Sequence, residues 1–212
     1  NGTRPAEHNM YGRWIESDDG RYQQMHEFIR MMKGLWTQDQ FTLDGEFYKI
    51  QDGKMPTRSV ATPHPPFFAA SRAEDGMNVV AQECDTWFVN YDKDHANYGA
   101  SLKRISSEMA LMEERVKSYG RKMNYGINAV VIIGETEEEA QAKAQEHVRE
   151  ASKAPVGTSG VGANLIGTPK TIAARMKLYE DMGISLFMLH FWPMHDGLEE
   201  FAQKVMPQLK LS

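Results

Sequence analysis

The sequence predicts an α/β fold built on parallel strands, and three observations carry that expectation. Short apolar runs, FFAAS, DTWFV, INAVVII and ISLFMLHFW, alternate along the chain with amphipathic helical stretches. The runs are apolar at successive positions rather than at every second one, the pattern of strands covered on both faces by crossover helices. No G-x-G-x-x-G turn follows the first of them, since AASRAEDG carries one glycine, which speaks against a doubly wound nucleotide-binding sheet. The alternative is a closed eight-stranded barrel, but such barrels take about 250 residues. The chain offers four core strands, at residues 66–70, 86–90, 127–133 and 184–191, within its 212 residues. Four strands are half of such a barrel, so the expected architecture is the C-terminal half of a (β/α)8 TIM-barrel type, about strands five to eight.

Each element follows from local chemistry. Tyr22, Met25, Ile29, Met32 and Trp36 recur every three or four positions and define one apolar face of a first helix, with Arg30 and Lys33 expected outward. FTLDGEFYKI alternates around Asp44-Gly45 and reads as a surface hairpin. FFAAS is too short for a helix and gives the first core strand, followed by a helix through Met77, Val80 and Ala81. After DTWFV, the residues Leu102, Ile105, Met109, Met112, Val116 and Tyr119 mark a long helix closed by Gly120. Thr136 with Glu139 forms a capping box ahead of a helix running to about Glu150. Thr168-Pro169 caps the next helix, which ends at Gly183, and a last helix carries Leu198, Phe201 and Val205.

Composition narrows the function. A chain with 41% hydrophobic residues buries a proper core. A net charge of -5 with interspersed signs leaves no basic stripe, so nucleic acid is not an expected partner. A single cysteine, Cys84, permits no internal disulfide framework. No apolar run approaches the roughly 20 residues of a membrane span, so no membrane partner is expected and a reducing cytoplasm fits best.

In order along the chain, RYQQMHEFIRMMKGLW, GEFYKI, ECDTWFV, RKMNYGINAVVIIGETEEEA, LIGTPKTIAARMKLYEDMGIS and EEFAQKVMPQL resemble the C-terminal part of the bacterial luciferase-like flavin monooxygenases. Within that superfamily they are most similar to the two-component enzymes, such as the alkanesulfonate, dimethylsulfone and pyrimidine monooxygenases. The resemblance implies reduced FMN as cofactor, dioxygen as co-substrate, an NAD(P)H-dependent flavin reductase as partner, a small-molecule substrate and a homo-oligomer. The family's fourth strand carries the pattern N-V-V-x-G, and the resemblance implies that it ends at Asn1-Gly2 here. The expectation is that residues 1–212 form the C-terminal portion of one barrel domain. Strands one to four would then sit on a second polypeptide, a cleavage product or separate chain. The Gly-rich residues 151–167 correspond to the family's mobile insertion in a shortened or incomplete form.

The resemblance also carries site residues. Glu7 falls on a glutamate of the loop after the fourth strand, and Arg21-Tyr22 match a flavin-contacting Arg-Tyr pair. Arg21 suits a phosphate through its paired N–H donors; the plainer reading of the pair is a solvated Arg before a core Tyr. Ser71 and Arg72 lie in a strand-to-helix turn, where backbone N–H groups favour an anion. The family reads Gly-x-Ser there and this chain reads Ala69-Ala70-Ser71, and for Ser71 a plain N-cap explains the residue equally well. MLHFWPMHDG brings His190, Trp192 and His195 to the end of the last strand, where a barrel builds its site. His190 and Trp192 are the expected catalytic residues, with a satisfied core histidine as the plainer reading of His190. Trp192 and Val130 stand where alkanesulfonate monooxygenases have a tyrosine and a histidine, so this site offers aromatic walls in place of donors for a sulfonate. Most of the 14 methionines are expected on helix core faces. Two alternatives accompany this reading: a deazaflavin-dependent oxidoreductase on the same barrel, and a non-catalytic flavin-binding half-barrel acting as an assembly partner.

Overall fold

The computed structural model describes residues 9–10, 18–57, 59–90, 98–152 and 161–209. The chain divides into two compact units, residues 1–86 with 115–123, and residues 87–114 with 124–212.

In the first unit, α1 (Asp18–Thr37) leads into a hairpin of β1 (Phe41–Asp44) and β2 (Lys49–Gly53). Gly34 lets the Phe41 ring lie on the helix, because a Cβ at that position would fall on the ring itself. The hairpin turn is fastened by Glu27, whose carboxylate accepts the backbone N–H groups of Glu46 (2.9 Å), Phe47 (2.8 Å) and Tyr48 (3.1 Å). Gln23 donates to the same carboxylate one helical turn earlier, at 2.9 Å. Burial opposes the charge on Glu27, but the bonds from Gln23, Phe47, Glu46 and Tyr48 outweigh it and hold the carboxyl at about 2.

Residues 68–69 form β3 (Phe68–Ala69), shorter than the sequence run implied, and α2 (Glu74–Glu83) follows. The Phe67 carbonyl accepts from the N–H groups of Asp85 (2.9 Å) and Thr86 (3.1 Å), while Phe67 N–H donates to the Asp85 carboxylate at 2.8 Å. These bonds pin β3 beside the start of β4 (Thr86–Phe88). Lys33 does not point outward as its sequence position suggested. It donates to Glu83 Oε2 at 2.9 Å and to the Glu83 carbonyl at 2.5 Å, because the C-terminal end of α2 gathers partial negative charge that draws a cation in. Cys84 is buried, and burial foremost pushes its thiol up to about 11, which keeps it a neutral core side chain.

The second unit is organised around β5 (Asn124–Ile133), which extends three residues earlier than the apolar run predicted. On one edge it pairs in parallel with β7 (Ile184–Phe191), from Tyr125↔Ile184 to Val131↔Phe191. On the other edge its last residues pair with β6 (Leu165–Gly167), and Val89 N–H donates to the Gly126 carbonyl at 2.9 Å. Gly126 is required there, since a Cβ would lie 3.0 Å from the Phe88 ring. Helix α3 (Tyr98–Ser118) precedes β5 and ends where Gly120 takes φ +65. The predicted capping box is present: Thr136 Oγ1 accepts from Glu139 N–H at 3.2 Å, opening α4 (Glu137–Ala151). Its return bond goes one residue upstream, from Glu135 N–H to Glu139 Oε2 at 2.9 Å. Thr168 caps α5 (Pro169–Asp181) by accepting from Thr171 N–H at 3.3 Å. β6 has no counterpart in the sequence reading. Its three residues are fully buried but too few to display a period, and they sit inside a Gly-rich stretch. After β7, α6 (Met194–Glu200) continues into a π turn over Phe201–Val205, in which Phe201 and Val205 are buried while Leu198 stays exposed.

Candidate functional site

Site chemistry in the first unit gathers where the start of α1 meets the start of α2. Arg21 and Tyr22 occupy the first turn of α1 and are half-buried. The loop after β3 carries Ser71, half-buried, and Arg72, exposed. Gly76, buried in the first turns of α2, is the point on which Tyr22 and Ser71 converge. A Cβ on Gly76 would fall on Ser71 Oγ and lie 2.5 Å from Tyr22 Cε1. The Ser71 hydroxyl and the edge of the Tyr22 ring are thereby held against bare helix backbone.

Ser71 is not the N-cap of α2. That position belongs to Ala73, which has no side-chain cap, and the Ser71 hydroxyl instead lies 3.4 Å from the Ala73 carbonyl. Glu74 and Asp75 supply acidic charge in the first turn, and Glu74 is met by Arg115 at 2.5 Å. Arg115 also bonds Asn78. Beside the Tyr22 ring, Asp19, Gln23, Asp75, Asn78 and Val79 complete the lining of an open cleft of about 260 Å³ between α1 and α2.

Of the residues expected to contact cofactor, the structure therefore brings Tyr22 and Ser71 together, with Arg21 and Arg72 adjacent to them in the chain. Glu7 lies outside the described residues. Gly76 and the cleft residues Asp19, Asp75 and Asn78 were not singled out from sequence. A lone glycine inside a helical pattern was the available signal, since it costs about 1 kcal/mol against alanine and points to a packing reason.

The expected catalytic residues belong to the second unit. His190 is exposed on β7, at the register position of Val130. Trp192 is half-buried against the cluster of Val130, Ile132, Ala140, Ala144, Val161 and Ile166, with Val148 packed beside it. Its ring centroid stands 5.6 Å from that of His147 on α4. His195 is exposed, 3.7 Å from Asp196 and 3.9 Å from Glu199. Among the described residues no group of three or more His, Cys, Asp or Glu side chains is placed to hold a metal ion, and no helix is long and apolar enough to cross a membrane.

Parallel strands with helical crossovers, and polar groups gathered in the turn after a strand, define an α/β protein of the barrel-enzyme type. Residues 1–186 match the luciferase-like monooxygenase family, and the chain belongs to that family. It is 28% identical over 230 residues to an FMNH(2)-dependent dimethylsulfone monooxygenase of Pseudomonas putida, with 93% of this chain and 60% of the relative covered. It is 24% identical to a sulfoquinovose monooxygenase of Agrobacterium fabrum, covering 90% of this chain and 58% of the relative. The crystal structure of a long-chain alkane monooxygenase superposes with a TM-score of 0.72 at 18% identity, covering 99% of this chain and 62% of that one, which shows a shared fold. The chain thus spans about 60% of the length of the curated relatives it matches.

Proposed function

We propose that this chain carries the phosphate end of the flavin site in a reduced-FMN-dependent monooxygenase acting on a small organic substrate, organosulfur compounds foremost. The observation that carries this reading is the convergence of Tyr22 and Ser71 on Gly76, in a family whose similar members are FMNH(2)-dependent. Ser71 and the bare backbone of Gly76 suit a phosphate, whereas Asp19 and Asp75 in the adjoining cleft oppose one. The Ser71 hydroxyl and a ring carbon of Tyr22 meet over helix backbone, the space is bare where a Cβ would fill it, and the charge of Glu74 is taken up by Arg115. Arg21 and Arg72, next to those residues in sequence, add cationic charge for a phosphate.

Reduced FMN, when bound, supplies the electrons with which dioxygen is activated for insertion into substrate. The protein's part is to hold and orient. Tyr22 and Ser71 would donate to phosphate oxygens and fix the cofactor's tail. In the second unit, His190 is the group expected to give or take a proton at its imidazole, exposed on β7. The Trp192 ring, packed on α4, would hold the strand end that carries His190 in place rather than touch the reacting atoms. A separate flavin reductase would deliver the reduced cofactor, and polypeptide carrying the other barrel strands would complete the site. Organosulfur substrates are favoured because relatives are named for dimethylsulfone and sulfoquinovose.

The test is turnover by the intact protein with a flavin reductase, FMN and NAD(P)H, offered dimethylsulfone and sulfoquinovose in air and under argon. Oxygen-dependent product from either substrate is the expected result. Substrate conversion without oxygen would overturn the monooxygenase reading.

A further inference from the structure

We infer that Asn128 orients the substrate: its side-chain amide donates to an oxygen of a small uncharged molecule of the sulfone class, and the sheet face around it selects such a molecule over an anionic sulfonate. The inference rests on the monooxygenase reading above and narrows its substrate class.

Asn128 interrupts an apolar run, being the one polar residue of β5 between Gly126 and Ile133. Asparagine is depleted in strands, where its short side chain offers the backbone other hydrogen bonds. Its neighbours Ile127 and Ala129 are fully buried, but Asn128 itself is half-buried. Its side chain has no hydrogen-bond partner among the described residues. An amide that serves the fold is paired within it, as that of Asn164 is with Arg175.

Strand register defines the surroundings. Asn128 stands opposite Met188 and Val130 opposite His190, so in this parallel pair all four side chains leave the same face of the sheet. Gly126 and Leu186 pair two residues earlier on that face, where the Phe88 ring fills the space above Gly126. At the far end Trp192 packs on the cluster that contains Val130. Asn128 is thus two residues along and one strand across from His190, about 6.6 Å by about 4.8 Å, a span that suits a molecule of a few heavy atoms. The opposite face, with Tyr125, Ile127, Ala129 and Val131, is buried.

Charge complementarity selects the occupant. None of β4, β5 and β7 contains a lysine or arginine, and apart from Asn128 and His190 the face is apolar. A sulfonate brought onto it would give up hydration without meeting a cation, a cost that one amide does not offset. A sulfone has strongly polarised oxygens and no net charge. One amide N–H matches one such oxygen, while Leu186 and Met188 offer apolar contact to its alkyl groups.

The experiment compares the intact wild-type protein with Asn128→Leu, which keeps the bulk without the donor, and with Asn128→Lys, which adds a cation. Dimethylsulfone and methanesulfonate serve as probes, close in size and different in charge. Three readouts are taken: dissociation constants by ligand-observed NMR, the Asn128 side-chain amide resonance in nitrogen-labelled protein, assigned with Asn128→Leu, and the thermal unfolding midpoint. Wild type should bind dimethylsulfone at least tenfold more tightly than methanesulfonate, with a shift of the Asn128 resonance. Asn128→Leu should weaken dimethylsulfone about fivefold, as expected for one neutral hydrogen bond, with a midpoint no lower than wild type. Asn128→Lys should reverse the preference between the probes; should it fail to fold, the leucine variant and the resonance decide alone. Methanesulfonate bound as tightly as dimethylsulfone by wild type, an unmoved Asn128 resonance, or unchanged dimethylsulfone affinity in Asn128→Leu would each overturn the inference. A lowered midpoint in Asn128→Leu with general loss of binding would overturn it too, leaving Asn128 a structural residue. Dimethylsulfone bound at Asn128 without oxygen-dependent turnover would instead sink the monooxygenase reading and leave the binding site standing. Turnover indifferent to Asn128→Leu would do the reverse.

Discussion

The carboxylate of Glu27, in the middle of α1, accepts the backbone N–H of Phe47 at 2.8 Å and thereby ties the hairpin turn to the helix across twenty residues of chain. Three consecutive turn N–H groups depend on this one side chain, itself only 3% exposed. Glu27→Ala leaves them without that acceptor, so a loss of about 1.5–3 kcal/mol is expected, and Glu27→Gln should lose part of it. The folded-state carboxyl is depressed from 4.5 to about 2. Its contribution is therefore complete above pH 4.5 and disappears as pH falls toward 2. Urea unfolding of wild type and Glu27→Gln from pH 7 to pH 2.5 checks this: the stability gap should be flat down to about 4.5 and close below it. A gap that persists unchanged at pH 2.5 would count against the electrostatic account.

Tyr125 behaves with the opposite sign. Its hydroxyl donates to Glu113 on α3 at 2.9 Å, and burial first, then the bond to Glu113 and that residue's charge, raises its pKa above 10. A raised value means that the folded state favours the protonated phenol. The resulting stability is present below pH 10 and declines as pH rises past it. Tyr125→Phe should lose about 1.5–3 kcal/mol at pH 7, the range of a hydrogen bond to a charged group, and should unfold with less dependence on pH between 9 and 11. Chemical denaturation across that range reads both effects.

Arg175 holds the short β6 strand. One guanidinium nitrogen lies 2.7 Å from the Asn164 carbonyl, 2.6 Å from the Asn164 side-chain oxygen and 2.7 Å from the Ile166 carbonyl, its two N–H donors shared among the three. The same guanidinium sits 4.7 Å from the centre of the Tyr98 ring. Asn164 needs the support, since it is buried with φ of 54, in the left-handed region. Arg175→Lys keeps the charge but cannot match a planar group in this position, so it should lose about 1–3 kcal/mol despite its conservative appearance. Amide hydrogen exchange should report faster opening at Leu165 and Ile166 in this variant, and slow exchange there would argue that β6 is held by other contacts.

How much of this was legible depended on the reach of each interaction along the chain. Thr136 with Glu139 and Thr168 with Thr171 operate over three residues, and the sequence displays both caps directly. The parallel pairing of β5 and β7 was legible as class, because each run is long enough to show its pattern, but not as register. β6 was invisible because three residues carry no period. In the site, Tyr22 and Ser71 were visible through family motifs, whereas Gly76 was not, since its role depends on two side chains 54 and 5 residues away that only the fold brings to it. Lys33 was misjudged for the same reason: its partner Glu83 lies fifty residues on.

The final prediction separates a phosphate site from a merely polar helix junction. If Tyr22 and Ser71 both donate to one phosphate, Tyr22→Phe and Ser71→Ala should each weaken FMN by about 1.5–3 kcal/mol, the range for hydrogen bonds to charged groups. Arg21→Ala should fall in the same range if its guanidinium reaches that phosphate. The Tyr22→Phe, Ser71→Ala double variant should lose less than the sum of the singles, because two donors on one anion are coupled, with an interaction term above about 0.5 kcal/mol. Riboflavin, which has no phosphate, should bind every variant as it binds wild type. Raising the salt concentration should weaken FMN binding and leave riboflavin unaffected, because screening acts on the charged tail alone. Strict additivity of the two hydroxyl losses, accompanied by equal effects on both flavins, would place the flavin's phosphate elsewhere and leave Tyr22 and Ser71 as packing partners of α2.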